Sequence, residues 1–203
     1  MKKYFLFLWL SLPVLWAYFH YGEGQRYVLQ DHVAEIKKRA DLLNEAGQWQ
    51  ESLKLYDEAL LLLENQNLDR AESALRLAKS KVYLNNKQIV KATEEVESLM
   101  EMIYDKEIHL NKIDEDKVRA SLGHSLYYMA WHMRGEGVAK QYWKKELESS
   151  RQHLRFLSEE NLASSERLYN LQAAIALAKV DRKKLNLEAL PKEDSGRGSQ
   201  GVG

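Results

Sequence analysis

Along most of this chain apolar residues recur at intervals of three and four, the spacing of one face of a helix. The first stripe is Val33, Ile36, Ala40, Leu43 and Ala46, and it stops at Gly47, a residue suited to the left-handed turn that ends helices. The second is Trp49, Leu53, Tyr56, Leu60 and Leu63, broken by Asn65-Gln66-Asn67, after which Asp69 can cap a new helix. Ala71, Ala74, Leu77, Ala78 and Val82 form a third stripe, and Val90, Val96, Leu99 and Ile103 a fourth, on either side of Asn85-Asn86. A polar stretch separates these from Val118, Leu122, Leu126, Met129 and Met133. Then come Gly135 to Gly137, and a partner stripe of Val138, Tyr142, Leu147, Leu154 and Leu157. Leu162, Leu168, Leu171, Ile175 and Ala178 close the series. The pattern predicts an all-α domain over 25–188. It consists of antiparallel hairpins at about 32–64, 68–104 and 115–157 and a final helix at about 161–187, stacked as neighbours because their connections are short. Only Pro13 and Pro191 occur, so no proline interrupts these helices.

The amino-terminal run breaks the periodicity. Residues 4–21 carry no charge and hold eight of the chain's twenty aromatics, behind Lys2 and Lys3. As a helix this run would span roughly 27 Å, close to a hydrocarbon core of about 30 Å. Leu15 stands three residues before a cut after Ala17, too large for a signal-peptidase site, so 1–24 reads as a retained signal anchor rather than a cleaved leader. The short basic end is expected to stay in the cytoplasm. That places a single-pass protein in a bacterial inner membrane, with its carboxy-terminal domain outside the cytoplasm. After Pro191 the glycine-rich tail, 189–203, has no anchoring side chain and is expected to be disordered.

The residues around the first turn resemble a tetratricopeptide repeat (TPR), whose unit is about 34 residues long. With Gly47 at position 15, Ile36, Ala40 and Leu43 fall on 4, 8 and 11, and Trp49, Ser52, Tyr56 and Ala59 on 17, 20, 24 and 27. Arg39 at position 7 and Glu64 in place of the late proline depart from the pattern. The match covers Val33 to about Gln66. Later hairpins follow in outline, with Leu77-Ala78 and Leu122-Gly123 resembling the large–small pair at 7 and 8. The resemblance implies that Lys37, Asp41, Asn44 and Glu45 face a partner groove. Lys37 sits where peptide-carboxylate clamps carry lysine, but Asp41 stands where they carry asparagine, which disfavours a carboxylate ligand. Asp41, as a groove residue, is expected to tolerate truncation, whereas Ala59 is expected to have no room for a larger side chain.

Composition narrows the chemistry. Thirty basic residues balance thirty acidic ones, so no basic footprint for nucleic acid exists. No cysteine is present, which excludes disulfides, thiol nucleophiles and cysteine metal sites. His124 and His132 lie eight residues apart, about 80° around a helix, poorly placed to share a metal. There is no phosphate loop and no nucleophile elbow, so no catalytic residue, cofactor or metal is expected. Tyr127, Tyr128, Trp131, Tyr142 and Trp143 form an aromatic group that reads as hairpin core and, if one face is exposed, as a partner surface. The expected function is a membrane-anchored scaffold or adaptor for protein partners at the membrane or in the periplasm. A permanent structural subunit and a small-ligand or cofactor carrier are the alternatives. The layout of anchor, short helical domain and glycine-rich tail also resembles small TPR proteins encoded beside AAA+ ATPases and von Willebrand factor A domain proteins. That resemblance implies a role in assembling or maturing an envelope complex.

Overall fold

A computed structural model describes residues 23–160 and 164–185, with positions 9, 11–13, 16 and 17 of the preceding run. Most of the 4–21 anchor segment and all of the 189–203 tail lie outside the described residues. Among the described residues no helix is long and apolar enough to cross a membrane. Those residues are almost wholly helical and contain no strand. The helices are α1 (Glu23–Glu45), α2 (Trp49–Leu63), α3 (Asp69–Asn85), α4 (Ile89–Tyr104), α5 (Lys112–Glu136), α6 (Lys140–Glu160) and α7 (Ser165–Lys179), followed by a single 3₁₀ turn at Arg182–Lys184. The chain divides into two compact units, Met1–Ala71 and Glu72–Gly203.

In the first unit α1 and α2 pack antiparallel. Small residues allow the close approach. Ala40 and Ala59 are fully buried, and the Ser52 hydroxyl donates to the Ala40 carbonyl at 2.8 Å. Val33, Ile36, Leu53, Tyr56 and Leu63 fill the space around them. α1 starts at Glu23, earlier than the first apolar stripe. Gly47, at φ 73°, turns the chain. Its N–H donates to Asn44 O, and the Gln48 N–H donates to Leu43 O at 2.8 Å, satisfying two carbonyls that the end of α1 would leave open.

The second unit opens with α3 and α4, antiparallel and tied by Glu95, which receives Arg76 at 3.0 Å and Lys79 at 3.1 Å. The buried positions of α3 are Ser73, Leu75, Ser80 and Val82. The predicted face was rotated: Ala74 is exposed, and Leu77 and Ala78 are only partly covered. Two serines lie on the buried side, where the pattern of alanines suggested otherwise. Val90 is likewise exposed on α4, whose buried set is Ala92, Thr93, Val96, Leu99 and Met100.

Val96, Leu99, Met100 and Ile108 join Val118, Leu122 and Leu126 of α5 in one core. α5 begins behind Asn111, whose side chain accepts the Asp114 N–H at 2.9 Å, and ends at Gly137, φ 82°. α6 runs antiparallel to α5, and the two meet closely at Gly123, whose carbonyl accepts the Ser150 hydroxyl at 2.6 Å. α7 returns parallel to α5. Asp116 pairs with Arg167, His124 with Asn170, and Arg134 with the carbonyls of Leu177 and Val180, in rising order along both helices. A second core, Tyr127, Ala130, Trp143, Leu147, Leu154, Ala174 and Leu177, fills the space between α5, α6 and α7. Here too the predicted face is corrected. α7 buries Asn170, Ala174 and Leu177, and leaves Leu168 and Ala178 exposed.

Candidate partner-binding surfaces

In the first unit Lys37, Asp41, Asn44 and Glu45 lie at i, i+4, i+7 and i+8 of α1, on one side of the helix. Lys37 and Asp41 are partly exposed and joined at 2.7 Å. Asn44 is partly buried and Glu45 exposed. Asp41 has a second task that sequence spacing did not show. Its other carboxylate oxygen accepts the hydroxyl of Tyr56, whose side chain is almost wholly buried. Burial, followed by the hydrogen bond to Asp41 and its charge, holds the Tyr56 phenol far above its ordinary value. Asp41 therefore ties α1 to α2. The expectation that it tolerates truncation is replaced by a part in closing the hairpin.

The aromatic group in the second unit divides. Tyr127 is fully buried and Trp143 is 6% exposed, so neither offers a surface to a partner. Both belong to the core between α5, α6 and α7 because they sit on the sides of α5 and α6 that face each other. Arg134 covers Trp143, its guanidinium 4.7 Å from the ring centroid. Tyr128 and Trp131 are half-buried, and Tyr142 is 56% exposed. Tyr128 meets Tyr127 edge to face, with centroids 6.1 Å apart. The indole N–H of Trp131 is buried and finds no acceptor. Three residues apart on α5, Tyr128 and Trp131 share a side of the helix. Tyr169, on α7, adds a ring that is 45% exposed. Burial, together with Tyr128 and Tyr169, pushes the Tyr127 phenol up to about 12.

His124 is buried, its Nε2 3.0 Å from Asn170 Nδ2. His132 is exposed and 3.5 Å from Glu136. The two histidines are not brought together. Among the described residues no group of three histidine or acidic side chains is arranged to hold a metal ion.

Two further features had no signature in the spacing. Arg119 is 9% exposed yet charged. It donates to Glu115 at 3.0 Å and to the Tyr104 hydroxyl at 3.2 Å, and its guanidinium carbon lies 4.3 Å from the centroid of Phe156. The stack ties the end of α4 to α5 and α6, while Tyr104 and Phe156 keep outward-facing area. On α4, burial and the nearby Glu146, Glu101 and Glu94 hold the Glu97 carboxyl above the usual carboxylate range. Lys145, next to Glu146 on α6, opposes that rise.

No protein-family model, curated protein or solved structure matches the chain.

Proposed function

We propose that this chain is a membrane-anchored, TPR-like helical scaffold that binds a protein partner at the outer face of a bacterial inner membrane, in the assembly or maturation of an envelope complex. The anchor is the uncharged run 4–21, read from the sequence. The TPR-like reading draws support from the hairpin contacts. Small residues press two helices together at Ala40, Ser52 and Ala59, and again at Gly123 and Ser150. In this reading successive hairpins stack as a short solenoid, which presents the sides of alternate helices to a partner.

The observation that carries the binding role is the side of α5 holding Tyr128 and Trp131. These large amphipathic rings are partly buried, Trp131 against the core between α5, α6 and α7, and each keeps some area toward solvent. Aromatic side chains of this kind dominate protein interfaces because they bury much area with few rotatable bonds. A tether adds effective concentration toward partners in the same membrane.

The test is recovery of partners by the tagged full chain from detergent-solubilised membranes. A scaffold gives substoichiometric partners that salt releases, and Tyr128→Ala and Trp131→Ala lower their recovery without lowering the helix content of the chain. One inseparable complex that survives salt and both substitutions would instead make the chain a permanent subunit and overturn the reading.

A further inference from the structure

α7 is held differently from the helix before it. α6 buries Trp143, Leu147, Leu154 and Leu157. α7 buries only Asn170, Ala174 and Leu177, with Leu171 and Ala173 at the edge of the core. Much of its attachment is polar and comes from α5 and α6. Arg167, near its start, donates to Asp116 at 3.2 Å and to the Leu157 carbonyl at 3.0 Å. Asn170 Nδ2 lies 3.0 Å from His124 Nε2, while the amide oxygen is buried with no donor. At the far end Arg134 donates to the carbonyls of Leu177 and Val180, which the end of a helix leaves open. An element with few buried apolar side chains opens at lower cost than the core beneath it. A buried amide oxygen without a donor weakens the seat further.

The seat itself does not depend on α7. Its floor is Tyr127, Trp143, Leu147 and Leu154, all from α5 and α6. Its two charged hooks are held from elsewhere in that pair. Lys112 pairs with Asp116 at 3.0 Å, and Arg134 stacks on Trp143 with its guanidinium 4.7 Å from the ring centroid. An acid thus stands at one end of an apolar floor and a base at the other.

We infer that α7 is a displaceable, autoinhibitory helix, seated in cis in a groove of α5 and α6 that takes a helix of a protein partner. α7 itself shows which helix fits. Arg167, Asn170, Ala174 and Leu177 stand at i, i+3, i+7 and i+10, on one side of the helix. The basic residue answers Asp116, the amide meets His124, and the alanine and leucine lie on the floor. The helix ends directly after the leucine, so that Arg134 reaches open carbonyls. A partner helix with this pattern replaces α7 contact for contact. The inference rests on the scaffold reading only for the existence of a partner.

The probe is a fluorescein-labelled peptide with the sequence of residues 164–180, mixed with the full chain in a non-ionic detergent and followed by anisotropy. Ala174→Glu in the chain unseats its own α7 and leaves the groove residues unchanged. That variant should bind the peptide at least tenfold more tightly than the unaltered chain, whose α7 competes. A peptide carrying Arg167→Glu, which sets an acid against Asp116, should bind at least tenfold more weakly. Binding to neither chain, equal binding to both, or indifference to the Arg167→Glu change would overturn the inference. Amide hydrogen exchange on the unaltered chain is a test that needs no variant to fold. α7 should open at least tenfold more often than α5 and α6, and exchange of all three as one unit would overturn displacement. Peptide binding as expected with no partner recovered from membranes would count against the scaffold reading and leave the groove standing.

Discussion

Two glycines of α5 put the hairpin packing to a test in which the same chemical change has opposite signs. A methyl group added at Gly123 would stand 2.9 Å from Leu154 Cδ2 and 3.0 Å from Leu154 Cγ, with His153 Cβ at 3.5 Å. Carbon atoms rest at about 3.5–4.0 Å, so Leu154 must retreat by roughly half an ångström or more. It cannot swing aside into solvent, because it is 2% exposed and packed into the core between α5, α6 and α7. Alanine is the better helix former by about 1 kcal/mol, but overpacking a filled core costs about 1–3 kcal/mol. Gly123→Ala is therefore expected to lose about 1 kcal/mol net, a drop of about 2–4 °C in melting temperature for a chain of this size. At Gly135 an added methyl meets nothing within 4 Å. Close to the end of the helix, Gly135→Ala should gain about 0.5 kcal/mol. Thermal melts followed by circular dichroism at 222 nm would show the two variants moving apart. In a Leu154→Ala background the obstructing atoms are gone, and Gly123→Ala should become neutral or stabilising. If Gly123→Ala raises the melting temperature as Gly135→Ala does, or if its effect is the same with and without Leu154, α5 and α6 do not meet at Gly123 and the packing argument fails.

Ala59→Leu should cost about 1–3 kcal/mol in urea unfolding, since Ala59 is fully buried where α1 and α2 meet. Asp41→Ala should cost about 1–3 kcal/mol by stranding the buried Tyr56 hydroxyl, while Lys37→Ala, which breaks only a half-exposed ion pair, should change stability by less than about 1 kcal/mol in the same assay. The Tyr127 phenol is held up to about 12, whereas in the unfolded chain it ionises near 10. Its contribution is thus complete below about pH 10 and disappears as pH rises toward about 12, and Tyr127→Phe should flatten the decline in melting temperature over that window. Burial, then Arg119, holds His153 below its ordinary value, so the unfolded chain binds its proton more readily. Stability should therefore fall as pH drops below about 6.5, and less steeply in His153→Gln.

Much of the helix order is legible in the sequence because its punctuation is strong. Gly47, the two asparagines before Lys87, and Gly135 to Gly137 all mark ends that the backbone respects. Small residues at Ala40, Ser52 and Ala59 marked the α1–α2 contact for the same physical reason that buries them. Faces were harder to read where polar residues go inside. Ser73 and Ser80 are buried on α3, yet a count of apolar residues prefers Ala74 and Ala78. Asn170 is buried on α7 because His124 receives it across the core, and a residue forty-six positions away cannot be read from local spacing. Asp41 looked like a solvated groove residue for the same reason, since its partner Tyr56 belongs to the next helix. Tyr127 and Trp143 were grouped with Tyr128 and Tyr142 by proximity in the chain, although neighbours on a helix point about 100° apart.

The turns carry one further consequence. The pair of backbone bonds that closes α1 at Gly47 recurs at Lys87, Lys106 and Gly137, each residue with positive φ. Only two of the four are glycines, so the joint is made by the carbonyls of the helix it terminates and not by glycine alone. Gln48 and Gln88, which follow the first two joints, even share the same backbone angles, φ −87° and ψ 61° against φ −91° and ψ 61°. A splice that ran from Gly47 straight into Gln88 would leave the joint's own backbone unaltered while removing one helix pair, and a duplication between the same points would add one. The turn itself is therefore indifferent to which of the two helices it introduces, and that choice rests on the side chains that pack across it, such as Ser52 against Ala40.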